Sequence, residues 1–200
     1  ANPEDRLPND LDWLYLQRLT DVENASYTFH DWAKAVTETQ KEDGVKFRSF
    51  AENSFWRMID YAMSDDFPTT NTDIKCWVDN TELDFSLDIS LNLNIEQSPI
   101  ALKYTPIIGE PFIIPNTVPL SLQVSWKIHQ SLVRPRFKDL FDLMYLVQHP
   151  TFNKNTLQDA KLALVNECKA DNVDLNKLKY FLSFEIDKLF PNNSIKKEWE

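Results

Sequence analysis

Asp10 and Asp12 stand two apart in the stretch DLDWLYL. The alternation there predicts a short strand, with Leu11, Trp13 and Tyr15 pointing one way and both carboxylates the other. Two carboxylates that close repel unless a cation sits between them. Magnesium suits such a place, because it takes one or two carboxylates and completes its shell with phosphate oxygens and water. A third carboxylate from a neighbouring strand completes a two-metal site for in-line phosphoryl or nucleotidyl transfer. Asp88 is the first candidate for that ligand, and Asp84, on the same polar face of its strand, the second. The plainer reading of the pair is a solvated strand edge in an acidic protein, and the face around Asp88 has the same alternative. RLTDVE offers a rival acidic pair, Asp21 and Glu23, but DVENAS around it reads as a loop.

A second cluster is cationic: Lys127, Arg134, Arg136 and Lys138, with His129 nearby. It reads as a clamp for a triphosphate or a nucleic-acid backbone, since cations offset phosphate charge and Arg binds it bidentately. The alternative is a solvated helix face with Lys138 paired to Asp142 at i, i+4. His30 and His149 read as structural or exposed, and no Ser-His-Asp or Cys-His arrangement is suggested by spacing.

These residues need a scaffold of mixed type. Thr28 to Gln40 reads as a helix, with Thr28 as N-cap and Asp31 three residues on. Gly44 marks a turn before a short VKFRSF strand, Ser54 to Met63 reads as a short helix, and DDFPTTN as a loop. Ile74 to Val78 is a strand candidate. Glu82 to Ile95 carries the clearest period-two signal, with Leu83, Phe85, Leu87, Ile89, Leu91, Leu93 and Ile95 on one face and Asp84, Ser86 and Asp88 on the other. Residues 97–119 read as an irregular crossing with short extended pieces. Helices then follow: Ser121 to Leu132, where Val124, Ile128 and Leu132 recur at helical spacing although Leu120, Leu122, Val124, Trp126 and Ile128 also alternate like a strand, then Arg136 to Gln148, and two more near 155–169 and 174–189, the last capped by Asp174. Phe137, Leu140, Phe141, Met144 and Val147 form the apolar stripe of the Arg136 helix. The tail NNSIKKEWE reads as frayed. The expected fold class is α+β, with an α/β core over 1–118 and a helical region over 119–200.

Composition removes several function classes. Two hundred residues with six Trp and thirteen Phe can bury a substantial core. A net charge of −10 argues against a broad nucleic-acid-coating surface, though not against a local basic patch. The two cysteines, Cys76 and Cys168, are far apart, which fits two free, buried thiols in a reducing cytoplasm rather than a disulfide framework or zinc site. The two isolated glycines, Gly44 and Gly109, cannot build a glycine-rich phosphate loop. No apolar run approaches the ~20 residues that span a bilayer, and no signal-peptide pattern opens the chain.

In chain order these segments resemble the AbiEii/AbiGii-type nucleotidyltransferase toxins. RLPNDLDW at 6–13 is similar to the family's Arg-x-x-x-Asp-x-Asp segment, and EDGVKF at 42–47 to its Asp-Gly-Val-x-Phe stretch. FSLDIS at 85–90 resembles the strand that brings the third aspartate, Lys127 the family's lysine, and RPRFKDLFDLMYL at 134–146 its Arg-x-(Lys/Arg)-Asp helix. The resemblance implies a DNA-polymerase-β-like nucleotidyltransferase fold. It implies magnesium held by Asp10, Asp12 and Asp88, with Asp88 also a candidate base, and NTP as substrate. It implies phosphate contacts from Arg6, Lys127, Arg136 and Lys138, with Asp139 orienting Lys127 or the incoming hydroxyl. It also implies a cognate antitoxin and, as in some members, a tRNA acceptor. The family carries a Gly-Gly or Gly-Ser turn a dozen or so residues before its Asp-x-Asp, whereas the nine residues ahead of Asp10 hold no glycine. Two readings therefore stay open: an enzyme whose glycine turn lies upstream, and a non-catalytic interaction module with a degenerate fold.

Overall fold

The computed structural model describes residues 10–39, 41–59, 68–106 and 109–190. Arg6 and the NNSIKKEWE tail lie outside the described residues. The fold is α+β, a mixed sheet with flanking helices, and the chain divides into two compact units, Asn2–Asn94 and Ile95–Glu200.

The first unit is built on a five-stranded sheet. Its strands are β1 (Asp10–Leu14), β2 (Val45–Phe47), β3 (Arg57–Ile59), β4 (Thr69–Val78) and β5 (Thr81–Ser90). The order is β1-β5-β4-β2, with β3 also pairing with β4. β1 runs parallel to β5, and β4 is antiparallel to β5, β2 and β3. Helix α1 (Ala25–Glu38) presents Ala25, Phe29, Ala33 and Thr37 as a buried stripe at four-residue spacing. Ala25 and Phe29 pack with Ile74, Leu87, Ile89 and Leu91 into one core, sealed by Tyr15, Trp56 and Phe85. Tyr15 and Trp56 meet the Phe29 ring at 5.1 and 6.2 Å between centroids.

Four expectations change here. The helix begins at Ala25 rather than Thr28, because Asp21 accepts from the backbone and side-chain nitrogens of Asn24 and folds the turn that launches it. The short helix expected over 54–63 is not formed where described: residues 54–56 carry no regular structure and Arg57–Ile59 pairs with Thr69–Asn71 as a strand. The Thr69–Asn71 end of the expected DDFPTTN loop is thus the buried start of β4. The strand expected to run to Ile95 stops at Ser90, since Asn92 turns to φ +57. Its amide then brackets the Leu19 backbone, accepting from N at 2.9 Å and donating to O at 3.0 Å.

The second unit begins with a hairpin, β6 (Ile100–Tyr104) and β7 (Phe112–Thr117), where the sequence suggested only extended pieces. Helices α2 (Leu120–Val133), α3 (Phe137–Leu146) and α4 (Lys154–Ala170) follow as expected. Val124, Leu143 and Ala160 join them in one core, and Leu132, Leu164 and Cys168 in a second. The helix expected over 174–189 is broken into a 3₁₀ turn at Leu175–Leu178, α5 (Lys179–Leu182) and a 3₁₀ turn at Ile186–Leu189. The break is Phe184, whose φ of +57 no helix tolerates and whose ring is 91% exposed. Asp174 does cap the first of these turns, accepting from Asn176 N.

The stripe on α3 is corrected. Met144 is 46% exposed, Val147 is also exposed, and the fully buried positions are Asp139 and Leu143. The helix turns a carboxylate inward because two cations meet it there. Cys76 and Cys168 are both free and buried, and burial pushes the Cys168 thiol up to about 11.

Candidate active site

The first unit gathers its polar residues on one sheet face. Leu11, Trp13, Thr70, Thr72, Ile74, Leu87 and Ile89 alternate onto the α1 side, which leaves Asp10, Asp12, Asn71, Asp73, Ser86 and Asp88 on the other. Register sets the details. Asp12 stands opposite Asp88, Asp10 opposite Ser86, and Asp88 in turn opposite Asn71. Parallel strands lie about 4.8 Å apart, so two strand-borne carboxylates in facing positions are neighbours by backbone geometry alone. Asp88 is 8% exposed, Asp12 is exposed, and Asp10 lies between.

Asp84, the second candidate, lies two residues before Ser86, the first β5 residue paired with β1 among the described residues, and is 3.8 Å from Lys75 Nζ. The rival pair is out of the sheet: Asp21 folds the turn before α1. The sequence reading missed Asn71, whose Nδ2 donates to Asp88 Oδ1, and Arg57, whose Nε donates to Asn71 Oδ1. Only their positions in the strand register could have revealed them, and both had been read as helix or loop.

Magnesium is tested by this donor set. Hard carboxylate oxygens on facing strands match its preference for one or two carboxylates with phosphate and water completing the shell. Among the described residues no three His, Cys, Asp or Glu side chains are gathered into a ready metal cage. Facing carboxylates of this kind fit a magnesium ion that completes its shell with phosphate and water. Asp12 and Asp88 are the residues that would hold it, with Asp10 beside them.

The second unit carries the cations. Lys127 Nζ lies 2.9 Å from Asp139 Oδ1 and 2.8 Å from Asp142 Oδ2. Arg136 Nε donates to Asp139 Oδ2 at 2.6 Å, and its Nη2 donates to Oδ1 at 3.0 Å. Burial works against the charge on Lys127, but the hydrogen bonds to Asp142 and Asp139 outweigh it and raise its pKa above the ordinary value. Burial likewise pushes Asp139 up, and Arg136 and Lys127 more than reverse this, so its carboxyl sits below the usual range. Lys138 is half-buried and Arg134 caps the end of α2. Asp142, which the alternative reading paired with Lys138, meets Lys127. His129 belongs to a different contact, 3.0 Å from Asp171 on the α4 side of α2. His30 packs against Phe50, and His149, which is exposed, bonds Thr151.

The chain belongs to the AbiEii family, the nucleotidyl transferase toxins of type IV toxin–antitoxin systems, whose model matches residues 2–200. Comparison with curated proteins and with solved structures gave no match. Among the described residues no helix is long and apolar enough to cross a membrane.

Proposed function

We propose that this protein is a magnesium-dependent nucleotidyltransferase acting as a cytoplasmic toxin, which moves a nucleotide from an NTP to a hydroxyl of an RNA, tRNA-like, or protein acceptor. The observation that carries the reading is the facing register of Asp12 and Asp88 across β1 and β5. The transfer replaces the bond from the α-phosphorus to the bridging oxygen with a bond to the acceptor oxygen, and releases pyrophosphate and a proton. Magnesium would supply charge neutralisation of the phosphates and bring the reacting oxygens into line. Asp12 and Asp88 would supply its protein oxygens, with Asp10 beside them, and Asp88, the most buried of the three, is the assigned acceptor of the hydroxyl proton.

On the strength of the family resemblance, Lys127 is assigned to the triphosphate, with Arg136 and Lys138 as further phosphate contacts. Asp139 has no exposed surface and both of its oxygens are engaged. It acts through Lys127 by holding the ammonium charged and in place. Arg6 is assigned to phosphate on the strength of the family motif. Family membership also supports a cognate antitoxin, encoded as the toxin's counterpart.

The test supplies each labelled NTP with total RNA and compares the protein with Asp12→Ala. Loss of label transfer by at least about 100-fold is expected for removal of a metal-binding carboxylate. Transfer that survives the substitution would overturn the site, and a protein that transfers no label under any condition would favour the interaction-module reading.

A further inference from the structure

The polar sheet face holds one lateral row that crosses four strands. Asp12 on β1 faces Asp88 on β5, Asp88 faces Asn71 on β4, and Asn71 faces Arg57 on β3. Three of the four side chains are joined in sequence: Arg57 Nε donates to Asn71 Oδ1, and Asn71 Nδ2 donates to Asp88 Oδ1. Arg57 is itself anchored, since its Nη2 lies 2.8 Å from both oxygens of Asp73, and Asp73 Oδ1 also accepts from Ser86 Oγ at 2.9 Å.

The direction of this chain is dictated by chemistry. A guanidinium only donates, and an ionised carboxylate only accepts. The Asn71 amide therefore has one stable orientation, oxygen toward Arg57 and nitrogen toward Asp88. A half-turn of the amide would set NH₂ against guanidinium and oxygen against carboxylate, two repulsions in place of two bonds. Asn71 is 2% exposed, so bulk water is kept from taking its place. Holding Oδ1 in one spot sets the rotation of the whole Asp88 carboxylate, and with it the direction of Oδ2.

We infer that Asn71, locked by Arg57, is a positioning residue that fixes the Asp88 carboxylate for metal and acceptor. The inference rests on the reading of Asp88 as the third carboxylate. Outer partners of this kind orient the ligands of metal sites, and losing one typically costs 10–100-fold in metal affinity or activity. Asn71 touches neither metal nor substrate in this scheme and works only through Asp88.

The experiment uses the full chain. Mn²⁺ binding is measured calorimetrically without nucleotide, label transfer is resolved into kcat and KM for NTP, and folding is followed by circular dichroism. Asn71→Leu keeps roughly the volume and removes both bonds. It is expected to weaken Mn²⁺ binding and lower kcat by about 10–100-fold, with KM for NTP unchanged. Arg57→Met is expected to show the same pattern more weakly, and the double variant to match Asn71→Leu alone, because both act along one chain of contacts. Asn71→Leu with native Mn²⁺ affinity and kcat, beside an Asp88→Asn variant that has lost both, would overturn the relay and leave Asp88 in place. An Asp88→Asn variant that keeps both would instead overturn the underlying site. If Asn71→Leu fails to fold, Arg57→Met decides, since that side chain is half exposed: native Mn²⁺ affinity in it overturns the relay.

Discussion

Lys127 Nζ on α2 lies 2.9 Å from Oδ1 of Asp139 on α3, a carboxylate that is 0% exposed. Arg136 closes the same carboxylate from the other side, so the buried anion is met by two cations. Desolvation on this scale is tolerated only when every lone pair finds a donor. The pair ties α2 to α3 beside the core formed by Val124 and Leu143.

Asp139→Ala should destabilise the protein by about 3–5 kcal/mol, because it leaves two partly buried cations without their carboxylate. Urea denaturation of the variant against the parent checks this. A loss below about 1 kcal/mol, the value of a surface pair, would show that the cluster is solvated. Because the folded carboxyl titrates below its ordinary 3.8, its contribution is present above that pH and is lost as pH falls through the folded value. The Asp139→Ala penalty should therefore persist at pH 6 and shrink in strong acid.

Glu167 on α4 should make stability fall toward alkaline pH. Burial pushes its carboxyl from 4.5 to about 7, and Asp171 and Glu96 add to the rise against the pull of Trp126 and Ser125. A raised folded pKa means the proton is held more tightly in the native state. The stability this contributes is full below 4.5 and is lost as pH rises through about 7. Glu167→Gln should thus match the parent at pH 4.5 and exceed it at pH 8 by about 1–3 kcal/mol. Thermal melts at the two pH values read the difference, and a gap that does not change with pH would refute it.

Asp84 and Asp88 share a strand face but should behave differently. Asp84 is exposed beside Lys75 and has no β1 partner among the described residues, so Asp84→Asn should leave label transfer within about twofold and stability within ±0.5 kcal/mol. Asp88→Asn should abolish transfer. Equal losses in both variants would mean that register with β1 is not what selects the working carboxylate.

Asn92 should be needed for the first unit's closure after β5. Replacing it by Ala removes two hydrogen bonds to the Leu19 backbone and keeps a positive φ without the residue type that tolerates it. The expected cost is about 2–4 kcal/mol, and Asn92→Gly should recover about 1 kcal/mol of it by relieving the backbone alone. Denaturant midpoints for both variants separate the clamp from the strain.

Much of the scaffold was legible because it is encoded between near neighbours. Alternation over i, i+2 placed Asp10 with Asp12 on one face of β1, and Asp88 opposite Leu87 and Ile89 on β5. The spacing of helical residues marked α3 and α4, Asp174 announced its cap, and for α2 the helical spacing competed with a strand alternation over the same residues. The order of those segments also carried the family. What the sequence by itself left open is what depends on residues far apart in the chain. Arg57–Ile59 became a strand because β4 offered it a ladder and Asn71 and Asp73 took its guanidinium. The α3 stripe lost Met144 and Val147 to solvent and gained Asp139 inside, because Lys127 from another helix made burial of that charge possible. The facing of Asp12 and Asp88, 76 residues apart, likewise exists only once β1 is laid parallel to β5. Local periodicity determines which way a side chain points; only strand pairing and packing determine what it meets there, because hydrogen bonds and charge neutralisation are supplied by distant partners.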